Sequence, residues 1–340
     1  MEQLGKLDKL RYHSQHLSFL INATVMQEAA RVMTRTPRPS GITPAVLREI
    51  GARRDALHRR DLENVDAGMY PRELLFDIPV WRYLREIPKL MRDVPRVLRR
   101  KRAGDYKDIP AVDPKRYPAY YRRTFHWQSG GYFSEQSAEV YELGVELLFR
   151  GTADVMRRQV IPPITRLQRA RGGEPLRVLD VACGTGRTLH QLARAHPQMR
   201  LYGVDLSPAY VRRARERLRD VGELTLAVDN AERLPWADAT FDAVTSVYLF
   251  HELPRNARRN AMRELARVCK PGGVVVVEDS AQPTDSPALA GVLRDFPREF
   301  HEPFYDDYLE DDLGSLMSEC GLGVESCEAH LVAKVVTARR

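Results

Sequence analysis

An α/β fold, with a largely parallel sheet carrying helices on both faces, is what this 340-residue sequence predicts, and three observations carry the prediction. Residues 178–187 read VLDVACGTGR: a β-branched and leucine run ends in an acid, turns on glycines and passes into a helix. A second apolar run closes on Val204 and Asp205 about 20 residues later, the spacing at which a strand-end carboxylate meets ribose hydroxyls. Residues 274–277 are an uninterrupted valine run, as expected of a central parallel strand covered on both faces.

The remaining elements follow in order. Residues 224–228 form a third strand, followed by Asp229, Asn230, Ala231, Glu232, Leu234, Pro235 and Trp236. FDAVTSV at 241–247 is the fourth strand and leads into Tyr248, Leu249, Phe250, His251, Glu252 and Leu253. Residues 258–270 are periodic as an amphipathic helix, stopped by Pro271 and two glycines. After the valine strand, residues 296–308 (FPREFHEPFYDDY) precede a helix through Cys320 and Gly321, and 324–337 supply a closing antiparallel hairpin.

The details of the first turn decide between nucleotide-like ligands. The third glycine of the dinucleotide fingerprint is missing, and Asp180 stands before the turn, where it would repel a pyrophosphate. An acid there suits a ligand with a cationic amino group, such as S-adenosylmethionine.

At these residues the chain resembles the class I S-adenosylmethionine-dependent methyltransferases, most closely the branch of the ubiquinone and menaquinone C-methyltransferases, over roughly residues 176–336. The resemblance implies a Rossmann-like seven-stranded mixed sheet flanked by helices, with S-adenosyl-L-methionine as cofactor. It implies donor contacts at Asp180, Ala182, Gly184, Gly186, Asp205, Leu206, Asp229, Asn230, Ala231 and Tyr248. The family usually has Asp where this chain has Asn230; either side chain offers an oxygen to the adenine amino group, and Asp229 beside it is an alternative.

Nearly half the chain precedes this core. Residues 1–33 read as one or two helices, 36–44 (TPRPSGITP) as a proline-rich connector, and 45–60 as a further helix. The net charge of +7 is concentrated between Trp81 and Lys107, where ten Arg or Lys face three acids. Apolar residues recur there at helical spacing, although Pro88 and Pro95 are expected to break or kink the helix. The stretch reads as a solvated cationic face, or as a basic amphipathic element for an anionic membrane surface or nucleic acid. Residues 1–112 are thus a helical N-terminal region serving as cap or dimer surface, 113–175 aromatic-rich lid helices, and 176–340 the core. No span of 18 apolar residues and no secretory signal is seen, so a cytoplasmic protein is expected.

Residues 117–133 (YPAYYRRTFHWQSGGYF) lie where helices of this family cover the methyl group, and Trp127 and Tyr132 are acceptor candidates there. Phe304, Tyr305 and Tyr308 are candidates on the opposite wall. An acceptor with a weakly acidic O–H or C–H needs a base. His251, at the carboxyl end of the fourth strand, is the first candidate, as a neutral imidazole near its ordinary pKa; His126 and His301 are reserves.

The four cysteines have no metal spacing and the nine histidines no cluster, so no metal is expected. Motifs for methylating bases in nucleic acids, for cytosine C5 chemistry, for protein arginine and for magnesium-bound catechols are missing from the strand ends. The expected acceptor is therefore a small hydrophobic molecule such as a phenol, quinone, polyketide or terpenoid. A nucleic-acid or protein methyltransferase docking through the basic stretch, and a donor-binding protein without turnover, are the alternatives.

Overall fold

The computed structural model describes residues 4–34, 42–126 and 128–340. Among these, seven strands form one sheet in the order β3-β2-β1-β4-β5-β7-β6: β1 (Arg177–Val181), β2 (Arg200–Asp205), β3 (Leu224–Val228), β4 (Phe241–Val247), β5 (Cys269–Ser280), β6 (Gly323–His330) and β7 (Ala333–Arg339). The first five run parallel and β7 is antiparallel to both neighbours, giving the mixed sheet expected. Strand order reverses between β1 and β4, so their carboxyl ends diverge into the crevice where open α/β sheets bind ligands.

Helices α7 (Arg187–Ala195), α8 (Pro208–Arg217) and α9 (Arg255–Val268) connect the parallel strands, and α10 (Ala290–Phe300), α11 (Tyr305–Leu309) and α12 (Leu313–Glu319) lie between β5 and β6. The core is double. Leu179, Val244, Val275 and Val277 meet residues of α9 to α12 on one face, while Val178, Ala243, Val274 and Val276 meet α6 (Ile161–Ala170) and α7 on the other. The alternating valines of β5 thus feed both cores, which explains why the run shows no polar residue. The helix read as 258–270 ends at Val268, because Cys269 is already extended (φ −72°, ψ 140°) and pairs with Phe241 before a register shift around the glycines.

Upstream, α1 (Lys6–Thr34) is a single helix, followed by α2 (Pro44–Asp66) and α3 (Val80–Ala103); residues 35–41, most of the proline-rich connector, lie outside the described residues. One sequence expectation, that the helix breaks or kinks at its prolines, is corrected as to the break. Pro88 and Pro95 neither break nor end α3, which runs on to a left-handed Gly104 cap. Both prolines are exposed, so the carbonyls of Leu84 and Met91 that lose an intrahelical donor face the solvent side, where water can hydrate them. No described helix is long and apolar enough to cross a membrane.

The N-terminal helices are fastened by a buried charge. Asp61 of α2 accepts from Arg158 Nε (3.0 Å) and Nη2 (2.5 Å), Tyr12 Oη of α1 (2.7 Å) and Tyr70 Oη (2.6 Å). The described residues of 113–134 form turns and a short 3₁₀ segment rather than the lid helices expected, and α4 (Glu135–Leu148) and α5 (Ala153–Arg157) lead to α6 and the sheet.

Candidate active site

The parallel register of β1 and β2 brings both exit loops to one edge of the sheet. Ala182, Gly184 and Gly186 all take left-handed backbone there, at φ 60°, 54° and 79°. For Ala182 that conformation costs roughly 1 kcal/mol, strain of the kind held at ligand sites. At Gly186 a Cβ would meet Leu218 at 2.9 Å and Ala214 at 3.1 Å, so the turn packs tightly on its underside, whereas at Gly184 only Tyr210 comes within 4.0 Å.

Asp205 organises this turn. Its carboxylate accepts from Gly184 N (2.9 Å) and Ser207 N (2.8 Å), so the acid of the second strand holds the glycine loop of the first. Asp180 is buried beside it and accepts from Thr245 Oγ1 (2.7 Å). Burial pushes both carboxyls up, Asp180 to about 7 against the Thr245 hydrogen bond, and Asp205 to about 6 against its two N–H donors. Two carboxyls held at a desolvation cost beside open left-handed amides fit S-adenosylmethionine, whose ammonium group and ribose hydroxyls would offset that cost.

The third strand completes the edge. Asp229 N donates to Asp205 O (3.1 Å), Asp229 accepts from Asn230 N (2.8 Å), and Asn230 Oδ1 accepts from Glu232 N (2.9 Å). Asn230 therefore folds its own loop as well as standing beside Ala231. Leu206 is half-buried between Asp205 and Ser207. Tyr248 is left-handed (φ 57°), stacks on Phe149 (centroids 5.8 Å, 13°) and donates to Met156 Sδ at 3.5 Å.

Over these strand ends packs the segment around Tyr132. Tyr132 is buried among Tyr121, Phe125 and Tyr210, its carbonyl accepts from Ser207 Oγ and its hydroxyl donates to Glu252. The segment thus bridges the exits of β2 and β4. Trp127 lies outside the described residues. His126 Nδ1 is 2.7 Å from Glu302 and Nε2 3.2 Å from Glu252, and although burial opposes the charge, the two carboxylates raise the imidazole to about 10. This corrects the expectation that the histidines join no cluster. The ligand atoms of His126, Glu252 and Glu302 lie within 4.8 Å of one another, a spacing open to a metal ion as well as to a protonated imidazole held between two carboxylates.

His251 Nδ1 lies 2.6 Å from Asp279 Oδ1, and Asp279 is fixed in turn by Phe250 N and Ser280 N, both at 2.7 Å. Because the carboxylate accepts at Nδ1, the tautomer leaves Nε2 as the exchanging nitrogen. The imidazole does not stay near its ordinary pKa: burial works against the charge, Asp279 outweighs it, and the value rises to about 9. Tyr305 and Tyr308 frame the ring at centroid distances of 5.9 and 6.3 Å; both are buried and hydrogen-bond Ser280. Phe304 is half-buried and edges onto Tyr120 (6.3 Å). His301 caps α10 in left-handed backbone and stacks on Tyr106 (5.4 Å); burial, then Arg123, lowers it to about 4.

Four residues of this neighbourhood escaped the sequence reading: Asp279, Glu252, Glu302 and Arg157. Asp279 carried a usable signal, an acid closing a strand, as at Asp180 and Asp205. Arg157 of α5 carried none; it is buried, bonds Asp154 (2.6 Å), and its charge acts to lower Asp180.

A family model described as a methyltransferase domain matches residues 178–273. A ubiquinone/menaquinone biosynthesis C-methyltransferase of Syntrophotalea carbinolica is 35% identical over 165 residues, 48% of this chain and 66% of that protein. A demethylmenaquinone methyltransferase of Thermotoga maritima is 30% identical over 178 residues, 52% of this chain and 72% of that protein. An O-methyltransferase of Aspergillus nomiae is 30% identical over 164 residues, 47% and 68% of the two chains. The matches to these three span about two thirds of the relatives' own length and about half of this chain. With the glycine turn, the paired strand-end acids and this similarity together, the chain belongs to the class I S-adenosylmethionine-dependent methyltransferases, in the branch of the ubiquinone and menaquinone C-methyltransferases.

Proposed function

We propose that this protein methylates carbon or oxygen of a small hydrophobic acceptor of the phenol or quinone kind, with polyketides and terpenoids as neighbouring classes, and that His251 is the base. One observation carries the reading: a histidine oriented by a carboxylate, His251 on Asp279, stands at the carboxyl ends of adjacent strands β4 and β5 among tyrosine rings. A base near 9 is well matched to a phenolic hydroxyl of about 10, so a proton passes between them with little free-energy change. The similarity to both C- and O-methyltransferases supports this class of acceptor.

S-adenosylmethionine, when bound, supplies a methyl group already activated on a sulfonium. Asp180 would hold its ammonium group, Asp205 its ribose hydroxyls, and the 229–231 loop its adenine. The lid, tied to Ser207 and Glu252, would exclude water while the acceptor is aligned. In this reading residues 176–340 carry the chemistry, 113–175 cover it, and 1–112 pack against them. The test is incubation of the purified protein and donor with demethylated quinols and simple phenols, followed by mass spectrometry. One added methyl group supports the reading; an inert panel with methylated RNA or protein instead defeats it.

Two binding results are expected. Asp205→Ala removes a charge-assisted partner of the ribose, a loss of about 1.5–3 kcal/mol or roughly tenfold to 150-fold in donor affinity. It also frees the Gly184 amide from its tether. Calorimetry showing wild-type affinity would remove Asp205 from the site. The second concerns pH. The ionised carboxylates bind the donor, and burial has raised their pKa values to about 7 and 6, so affinity is full above pH 8 and falls as pH drops through that window. At pH 5 it is expected to be at least tenfold weaker than at pH 8. Titrations in buffers of different ionisation enthalpy should show protons released on binding near pH 6.5; uptake of protons, or a flat profile, contradicts it.

A further inference from the structure

We infer that the outer face of α3 is a docking surface for a lipid bilayer bearing anionic headgroups. The helix is 24 residues long, roughly 36 Å at 1.5 Å per residue. Between its terminal residues Val80 and Ala103, themselves exposed, its exposed positions are Trp81, Leu84, Arg85, Pro88, Met91, Arg92, Pro95, Arg96, Arg99 and Arg102, which recur every three or four residues and so share one stripe. Five of them are arginines and none is an acid.

The two acids of α3 point the other way. Glu86 is buried against Arg82 (2.9 Å) and Arg213 (3.6 Å), and Asp93 is buried on Ser129. Cations on the inner side are also used: Arg82 meets Glu142 at 2.5 Å, Arg100 meets Asp108 at 2.8 Å, and Lys101 meets Glu299 at 2.7 Å. Among the described residues, Arg85, Arg92, Arg96 and Arg99 have no carboxylate partner. The fold has sorted the charges of one helix, turning acids inward and leaving a pure cationic stripe outside.

Apolar groups decide the kind of partner. Trp81 is 80% exposed and Leu84 52%, with Met91 farther along the stripe. Nucleic acid would engage the arginines but offers nothing to a leucine and a methionine in solvent. A bilayer interface takes both at once: indole and aliphatic side chains enter the headgroup boundary while guanidinium groups meet lipid phosphates. The inner face of the same helix holds Ser129, three residues from His126, through Asp93 and Arg100 (2.7 Å). A docked α3 therefore holds the loop at Ser129 about one helix diameter behind the membrane-facing stripe. The surface stands on these residues alone, independently of the acceptor proposed above.

The experiment is co-sedimentation of the full chain with vesicles of phosphatidylcholine alone and with about one third phosphatidylglycerol. Binding to the anionic vesicles only is expected. Trp81→Ala should weaken it severalfold, and each of Arg92→Ser and Arg96→Ser by roughly fivefold, with unchanged thermal unfolding because all three side chains are exposed. Failure to bind anionic vesicles overturns the inference, as does binding that the three variants leave unchanged. Tighter binding to single-stranded RNA, insensitive to Trp81→Ala, overturns it in favour of a nucleic-acid surface. Neither result depends on methyl transfer, so the acceptor reading stands or falls separately.

Discussion

Asp61→Ala should be the most damaging single substitution in the N-terminal half, lowering stability by about 3–5 kcal/mol. The carboxylate is completely buried and takes four hydrogen bonds from three side chains. Removing it leaves the Arg158 guanidinium charged and unpaired in the interior, which costs far more than the pair contributes relative to an apolar replacement. For a chain of this length the loss corresponds to a fall in Tm of roughly 4–7 °C. Asp61→Asn should lose less, because it keeps the size and one acceptor oxygen, enough for either Tyr12 or Tyr70 but not both. Burial works to raise the carboxyl, but Arg158 outweighs it and holds it below the usual range. Its stabilisation is therefore present above about pH 4 and is lost as pH falls further. Thermal unfolding within a degree of wild type would show that the four-way anchor does not fasten these helices.

The largest effect on turnover is expected at His251. His251→Ala should reduce kcat by about 10²–10⁴-fold while leaving donor affinity close to wild type. The direction of the pH dependence follows from the raised pKa. A base must first lose its proton, so the rate should climb about tenfold per pH unit at neutral pH and level off near 9. Asp279→Asn removes the charge that raises the imidazole, and the limb should move down toward the ordinary histidine value near 6.5. That shift separates a positioning carboxylate from one that merely packs, since a structural loss would lower the plateau without moving the limb. Full turnover in His251→Ala eliminates this histidine as the base.

Much of the core was readable because its signals are local. VLDVACGTGR places a strand, a left-handed turn and a helix start in ten consecutive residues, and each is forced by neighbours along the chain. Asp205 was legible for the same reason, as an acid closing an apolar run. The valines of β5 announce a strand covered on both sides, although the exact end of the preceding helix was missed by two residues because Cys269 is claimed by pairing with Phe241. At α3 local rules read an interior proline as a break or a kink, and the helix runs unbroken through both. Which way each proline faces is a tertiary fact, and on the solvent side water can hydrate the carbonyls that lose their donors.

The sequence by itself therefore determined the strand–turn–strand frame, the two acids that suit the methyl donor, and the concentration of positive charge between Trp81 and Lys107. Only the tertiary structure decided what those groups do together. His126 meets Glu252 and Glu302 across more than a hundred residues of chain, and Asp279 reaches back to His251, so their raised proton affinities depend on distances that no spacing along the sequence encodes. The sorting of acids and arginines on α3 has the same origin: helical period says which residues share a side, but packing against α4 and the lid decides which side meets water. Electrostatics and desolvation act through space, and space is what folding adds.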